Sequence, residues 1–197
     1  MQNRQTTTEL GGAATLCDVV AALYLKSPDE DLLAGVDAFC GAAGDVASEP
    51  LAAVTQEYYD LFFNPASGRH LPPFESFARE RRYWGENALQ VGSIYREADF
   101  EPAELLADVH WRRQPMPDHI GFEFAFLSAL LRSAEAQPAE REALLATAGD
   151  FLDGHLRLWA DDYGTRLAEN AQTSLYRLLG RLTRKAAEIS FAHGERQ

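Results

Sequence analysis

Residues 116–131, MPDHIGFEFAFLSALL, constrain the fold more than any other stretch of this 197-residue chain. A Pro-Asp-His step stands directly in front of a run that is almost entirely apolar. Pro117 disfavours helical structure on its N-terminal side and Asp118 is a good N-cap, so a helix is predicted to begin here. His119 and Glu123 are four residues apart and share one face of that helix. This mixture predicts a polar cluster beside an apolar groove.

Helical periodicity continues along the rest of the chain. Apolar residues recur at intervals close to 3.6, as at Leu16, Val19, Val20 and Leu23. No alternating run with Asn-Gly or Asp-Gly turns predicts a strand. The predicted helices cover residues 8–26, 28–40, 50–64 with Ser48 as cap, 74–84, 86–99, 103–110, 120–135, 138–160 and 165–192. The predicted fold is all-α, an irregular helical bundle of about seven to ten helices.

The length of the chain is enough for one domain with a sizeable core. Residues 100–118 are the least regular part, broken by Pro102, Pro115 and Pro117. We therefore predict a single helical domain over residues 1–197, with residues 100–118 as a potential junction between two helical halves.

Composition indicates a cytoplasmic protein. No apolar run approaches the roughly 18 residues of a membrane span, so stable membrane insertion is not expected. The N-terminal sequence lacks the basic region and clean apolar core of a secretory signal. Two cysteines, Cys17 and Cys40, make no disulfide framework and suit a reducing compartment.

The formal net charge of -12 argues against a nucleic-acid partner, which requires a basic surface. Such an acidic surface would attract a basic peptide and speed its capture. The simpler interpretation is that acidic residues keep the protein in solution, and the charge alone does not decide between the two.

A series of motifs resembles the TorD/DmsD/NarJ family of redox-enzyme maturation chaperones. The motifs are YYDLF at 58–62, NP at 64–65, LPPFES at 71–76, WG at 84–85, PDH at 117–119 with Glu123, and FLxxHLxxW at 151–159. Each motif alone is weak, but their order and distances match the family. Phe74 stands where many members have Trp or Tyr, which keeps the ring and loses its polar tip.

The resemblance implies a helical cytoplasmic chaperone, not an enzyme, that needs no cofactor of its own. Such chaperones assist assembly of a molybdenum-cofactor oxidoreductase. They bind the twin-arginine leader of its catalytic subunit and delay export until the cofactor is inserted.

A receptor for such a leader needs carboxylates for the guanidinium groups and a groove for the apolar stretch. The predicted peptide-binding residues are Tyr58, Leu61, Phe62, Pro73, Phe74, Asp118, His119, Phe122 and Glu123. Leu61 and Phe62 diverge by about 100° on a helix, so at least one should be partly accessible beside Asp118 and His119.

Two hypotheses of other classes stay open. The chain could be a structural or dimerisation domain in which Asp118 is only a cap and Leu61 and Phe62 are plain core. Long end helices would allow a homodimer by segment exchange. It could instead sense a metal or small ligand through His119 and Glu123, although no second histidine pair is present and no metal is predicted.

Some other residues have simpler interpretations. Trp84 and Trp159 are expected in the core, and Arg79, Arg81 and Arg82 on a solvated helix face. No GxSxG, HExxH, GxGxxG or P-loop motif predicts an enzyme. The chain also has no phosphate-binding loop, so guanine nucleotide binding is not predicted.

Overall fold

Ten α-helices and no β-strand make up residues 2–41 and 49–191, the part of the chain that the computed structural model describes. The helices are α1 (Gln2–Leu25), α2 (Glu30–Cys40), α3 (Leu51–Phe62), α4 (Glu75–Glu80), α5 (Glu86–Glu97), α6 (Val109–Arg113), α7 (Ile120–Ala136), α8 (Arg141–Gly154), α9 (Ala160–Asn170) and α10 (Ser174–Ala187). Short 3-10 helices lie at Pro65–Ser67, Pro102–Glu104 and Leu156–Leu158. The all-α prediction is confirmed.

Helix α7 lies at the centre because it is apolar around most of its circumference. Eleven of its 17 residues are buried, and it packs mainly against α1 and α8. The Ser128 hydroxyl donates to the carbonyl of Ala14 on α1 at 3.1 Å. Gly121 lets α1 approach closely, since a Cβ there would lie 2.7 Å from Cγ of Leu25. None of the described helices is long and apolar enough to cross a membrane.

Helices α9 and α10 pack backbone to backbone. A Cβ at Gly164 would lie 2.6 Å from the carbonyl oxygen of Gly180, and a Cβ at Gly180 would clash with the carbonyl of Gly164. Helix α10 also contacts α1, where the hydroxyls of Tyr24 and Thr183 are 2.8 Å apart. The C-terminal pair is therefore attached to the core through α1.

Two predicted helices are wrong because distant side chains interrupt them. The helix predicted at 138–160 ends at Gly154, where the His155 ring turns inward to the carboxylate of Glu75. The helix predicted at 165–192 divides at residues 171–173. There the Glu57 carboxylate accepts the backbone N–H groups of Gln172 at 2.6 Å and Thr173 at 2.7 Å.

Other predicted boundaries shift. The helix predicted at 74–84 ends at Glu80 because Arg81 adopts a left-handed conformation with φ 58°. In place of the helix predicted at 103–110, the structure has a 3-10 helix at Pro102–Glu104, and α6 begins only at Val109. The predicted cap Ser48 lies outside the described residues.

The close approach of α9 and α10 yields a stability prediction. Gly164→Ala should destabilise the fold by about 1–3 kcal/mol, because its methyl group would push the helices apart. Gly35→Ala, also within a helix but with no atom near its added methyl group, should be neutral or stabilising by up to about 1 kcal/mol. Chemical denaturation compares both with the unmodified chain, and equal effects would contradict the packing argument.

Candidate functional site

The site is organised by a backbone crossing between the segment before α4 and the segment before α7. Phe74 and His119 form an isolated antiparallel bridge. The backbone N–H of Ile120 donates to the carbonyl of Pro73 at 2.9 Å. The rings of Phe74 and His119 have centroids 5.3 Å apart. The LPPFES and PDH motifs, more than forty positions apart along the chain, are therefore in direct contact.

Asp118 caps α4 and not the helix that follows it. Its Oδ2 accepts the backbone N–H of Ser76 at 2.8 Å, and its carbonyl accepts that of Glu75 at 2.9 Å. The cap of α7 is His119, whose Nδ1 accepts the N–H of Gly121 at 3.1 Å. The prediction that Asp118 caps the helix after it is wrong, because the crossing turns this side chain toward α4.

Three carboxylates, Glu75, Asp118 and Glu123, are fully buried near this crossing. Glu75 lies in the first turn of α4 and Glu123 in the first turn of α7. The partial positive charge at the N-terminus of a helix favours negative charge. Arg79, one turn after Glu75, forms an ion pair with it. These groups compensate part of the cost of burying acidic side chains.

Residues of the FLxxHLxxW motif supply further partners. Nδ1 of His155 lies 2.8 Å from Oε2 of Glu75, and Nε1 of Trp159 donates to Oε2 of Glu123 at 3.3 Å. Oδ1 of Asp118 and Oε1 of Glu123 have no hydrogen-bond partner in the described part of the chain. Sequence reasoning missed Glu75 and His155 as members of the site, although both stand inside the motifs that carried the resemblance.

Burial controls the protonation of this site. It raises the pKa of Glu123 well above its usual value, and the neighbouring charges of Glu75 and Asp118 raise it further. Burial also raises the pKa of Asp118, although hydrogen bonds from Ser76 oppose that shift. The pKa of His119 falls to about 3 because its ring is buried, so the imidazole is neutral near pH 7.

All nine predicted peptide-binding residues are buried. Leu61 is 0% exposed and Phe62 is 3% exposed, so the prediction that one of them is accessible is wrong. The reason is that the end of α3 is covered on two sides. The ring of Phe62 contacts Tyr24 of α1 at 5.5 Å and Tyr176 of α10 at 5.8 Å.

An open cleft of about 380 Å³ lies next to the crossing. This aromatic cleft is lined by Phe63, Phe74, His110, Trp111, Arg113, Gln114 and Met116. Phe74 is the one predicted peptide-binding residue among these described lining residues. The charged and polar residues of the rim, including Arg113 and His110, are exposed, whereas the three carboxylates are buried and do not line the cleft.

Trp111 connects the aromatic cleft to the buried site and was missed from the sequence. Its ring centroid lies 4.4 Å from that of Phe63 and 4.3 Å from that of His119. Its Nε1 donates to the hydroxyl of Tyr58 at 2.8 Å. The available signal was a tryptophan within an irregular segment broken by prolines, where a large apolar side chain needs a packing partner.

Trp159 is in the core as predicted, but Trp84 is 57% exposed and its predicted core position is wrong. Arg81 and Trp84, in the loop between α4 and α5, both have positive φ angles, of 58° and 56°. Arg79 does not lie on a purely solvated face, since it pairs with a buried carboxylate.

The raised pKa of Glu123 predicts a pH-dependent stability. Between the pKa of the unfolded chain, near 4.5, and the higher pKa of the fold, the folded state binds more protons. Stability contributed by this group is therefore lost as pH rises. Glu123→Gln keeps an acceptor for Trp159 and removes the titration. We expect this variant to be more stable than the unmodified chain at pH 8, with the difference shrinking toward pH 4.5.

Urea unfolding across this pH range measures the effect. Glu188→Gln, at an exposed position, is the control and should leave the pH profile unchanged. Parallel profiles for Glu123→Gln and the unmodified chain would show that Glu123 is not the titrating group.

Comparisons with known proteins agree with this fold. A model of the nitrate reductase delta subunit family matches residues 25–163. A protein from Archaeoglobus fulgidus, whose crystal structure was described as that of a candidate redox enzyme maturation protein, superimposes with a TM-score of 0.57. The alignment covers 90% of this chain and 94% of that chain at 21% identity, and at this identity the likeness concerns the fold. A search of the curated proteins finds no match. Because the family match covers most of its length, the chain belongs to the nitrate reductase delta subunit family of redox-enzyme maturation chaperones.

Proposed function

We propose that this chain binds the twin-arginine leader of the catalytic subunit of a molybdenum-cofactor oxidoreductase. In the cytoplasm it would hold that subunit back from export until the cofactor is inserted. Family membership supports the general role in redox-enzyme maturation. The aromatic cleft beside three buried carboxylates is the observation that carries the proposal for the leader.

The apolar stretch of a leader suits the aromatic cleft. Phe63 is half-buried, and Phe74, Trp111 and Met116 supply further apolar surface. An open apolar cleft next to polar groups is the usual form of a peptide-binding groove. The rim residue Arg113 would repel a guanidinium group, so the arginines of the leader cannot be held at the rim.

The unpartnered oxygens Asp118 Oδ1 and Glu123 Oε1 are the proposed acceptors for the leader's arginines. A guanidinium group offers donors in the planar arrangement that carboxylates accept. Both oxygens are buried, and we infer that the wall formed by Phe74 and Trp111 moves to admit the arginines. Binding should therefore require this wall to open. The other predicted peptide-binding residues would support the wall from inside the core.

The metal-sensor hypothesis gains less support. His119 Nδ1 already accepts a backbone hydrogen bond. Within residues 2–41 and 49–191, no group of three His, Cys, Asp or Glu side chains is arranged to hold a metal ion. No observation specifically favours a metal sensor, so the leader-binding chaperone is retained as the proposal.

The first test measures leader binding by calorimetry. A peptide with paired arginines should bind, and replacing both arginines by alanine should weaken binding roughly tenfold or more, since charge-assisted hydrogen bonds are lost. Phe63→Ala should weaken both peptides by removing contact with the apolar stretch. Leu89→Ala is the matched control, because Leu89 is exposed and does not line the aromatic cleft. Equal binding of the two peptides would reject the electrostatic part of the proposal.

The second test uses pH. The raised pKa of Glu123 favours its protonated form in the free protein. It must release that proton to accept a guanidinium group, so affinity for the leader should rise with pH. Glu123→Gln should remove this dependence. Calorimetry in buffers of different ionisation enthalpy counts the released protons, and no proton release in the unmodified protein would place the arginines elsewhere.

A further inference from the structure

One half-exposed arginine is hydrogen-bonded to the buried carboxylates. The side chain of Arg79 is 32% exposed, whereas that of Glu75, its partner in an ion pair, is 0% exposed. Nη1 of Arg79 donates to Oε1 of Glu75 and, at 2.9 Å, to Oδ1 of Asn87. The guanidinium group of Arg79 therefore connects the solvent with a carboxylate that the solvent does not reach.

The acceptors around this guanidinium group are fixed by other contacts. The amide nitrogen of Asn87 donates to Oε1 of Glu80 at 2.7 Å, and the backbone N–H of Asn87 donates to the same oxygen at 3.0 Å. The amide oxygen of Asn87 is therefore turned toward Arg79. The Glu75 carboxylate is fixed in a similar way, because its Oε2 lies 2.8 Å from Nδ1 of His155. Two oxygens that are fixed in this way form a preorganised binding site for a guanidinium group.

Arg79 uses this site incompletely. Its Nη1 serves both acceptors, while its Nε and Nη2 make no hydrogen bond or ion pair within the described part of the chain. Arg79 stands on the same helix as Glu75, four residues later, so its direction of approach is set by that helix. Guanidinium groups bind carboxylates most strongly through two parallel N–H···O bonds. The guanidinium group of another polypeptide is free of this restriction and can bring two nitrogens to Glu75 and Asn87.

The neighbouring carboxylates have acceptor atoms that the chain leaves unused. Oδ1 of Asp118 and Oε1 of Glu123 have no hydrogen-bond partner among the described residues, and both side chains are 0% exposed. Glu75 is close enough to both for its negative charge to raise their pKa values. A leader with paired arginines brings two guanidinium groups. The site offers two sets of acceptors for them, one at Glu75 with Asn87 and one at Asp118 with Glu123.

We propose that Glu75 and Asn87 form a guanidinium-binding site, which Arg79 fills in the free protein and leaves when one arginine of the leader enters. The identity of this ligand rests on the proposed function. The second arginine of the leader would be accepted by Asp118 and Glu123. The side chain of Arg79 is long and half-exposed, so it can turn out to solvent by rotation about its own bonds.

The exchange gives a reason for an arginine of the chain itself at this position. A buried carboxylate that loses its cation is strongly unfavourable, because its charge is left uncompensated. Glu75 therefore needs a guanidinium group before the leader arrives. When one arginine replaces another, the ion pair is kept and the desolvation of the two guanidinium groups largely cancels. Arg79 thereby selects for ligands that carry arginine, since other ligands cannot compensate Glu75 after Arg79 has moved.

The first part of the test measures whether a free guanidinium compound enters the site of the full chain. Arg79→Ala should lower the unfolding temperature. Ethylguanidinium at about 20 mM should then raise it by roughly 2–5 °C in a saturable way, whereas ethylammonium, which lacks the planar fork, should raise it less. Arg79→Met, which keeps an apolar stem, replaces this variant if it does not fold. No shift, or an equal shift with ethylammonium, would overturn the proposal.

Arg132→Ala is the matched control. Arg132 also forms an ion pair with one carboxylate, that of Asp18, but the two side chains are 49% and 45% exposed. This variant should show no saturable shift with ethylguanidinium. Adding Glu75→Gln to Arg79→Ala removes the charge that binds the guanidinium group and should abolish the shift. A shift of equal size in Arg132→Ala, or one that survives Glu75→Gln, would show that ethylguanidinium acts elsewhere and would contradict the proposal.

The second part measures leader binding by calorimetry. Without Arg79 as an internal competitor, the Arg79→Ala variant should bind the paired-arginine peptide roughly threefold to tenfold more tightly than the unmodified chain does. The peptide with both arginines replaced by alanine should show no such gain. Unchanged or weaker binding of the paired-arginine peptide would overturn the displacement of Arg79.

The two parts separate this proposal from the leader proposal. If the paired-arginine peptide binds Arg79→Ala and the unmodified chain equally, and ethylguanidinium gives no shift, the leader proposal stands and this one fails. If ethylguanidinium stabilises Arg79→Ala as expected but neither chain binds the leader peptide, the leader proposal fails and the guanidinium-binding site stands without a leader.

Discussion

The meeting of two helix N-termini around buried carboxylates is the constraint on which the rest of this structure depends. The backbone crossing at Phe74 and His119 aligns the starts of α4 and α7. The backbone N–H groups at the start of α4 donate to Asp118. Arg79 and His155 contact Glu75, and Trp159 donates to Glu123, which makes the burial of these carboxylates tolerable. Loss of the crossing would leave acidic side chains in the core with too few hydrogen-bond donors. The same contacts therefore stabilise the fold and form the site.

Much of the fold could be predicted from the sequence because its signals are local. The apolar run of α7, the prolines and the absence of alternating strand patterns indicate an all-α bundle whatever the tertiary context. The breaks at residues 155 and 171–173 could not be predicted in this way. They are made by Glu75 and Glu57, which are 80 and 115 positions away from their partners His155 and Gln172.

The residues of the site could be predicted from the sequence, but their accessibility could not. Motif order placed Phe74, Asp118 and His119 together, and they do meet. The burial of Leu61 and Phe62 was not predicted. Their divergence on α3 implies exposure of one of them only if one side of that helix faces solvent. Trp111 was missed because no periodic pattern marks residues 100–118. Local signals thus identify the residues of this site, while long-range packing decides which of them a ligand can touch.

The glycine contact between α9 and α10 has a consequence for how the C-terminal part of the chain can move. Side chains between two helices usually allow small sliding adjustments, whereas here backbone atoms meet at Gly164 and Gly180. The two helices must therefore move together as one rigid unit. Any large displacement, including exchange between two copies, would carry both helices together with the 3-10 helix before α9, because Arg157 donates to the carbonyls of Ala187 and Ile189 at the end of α10. His155 stands directly before that 3-10 helix, so a displacement of α9 and α10 would disturb its contact with Glu75.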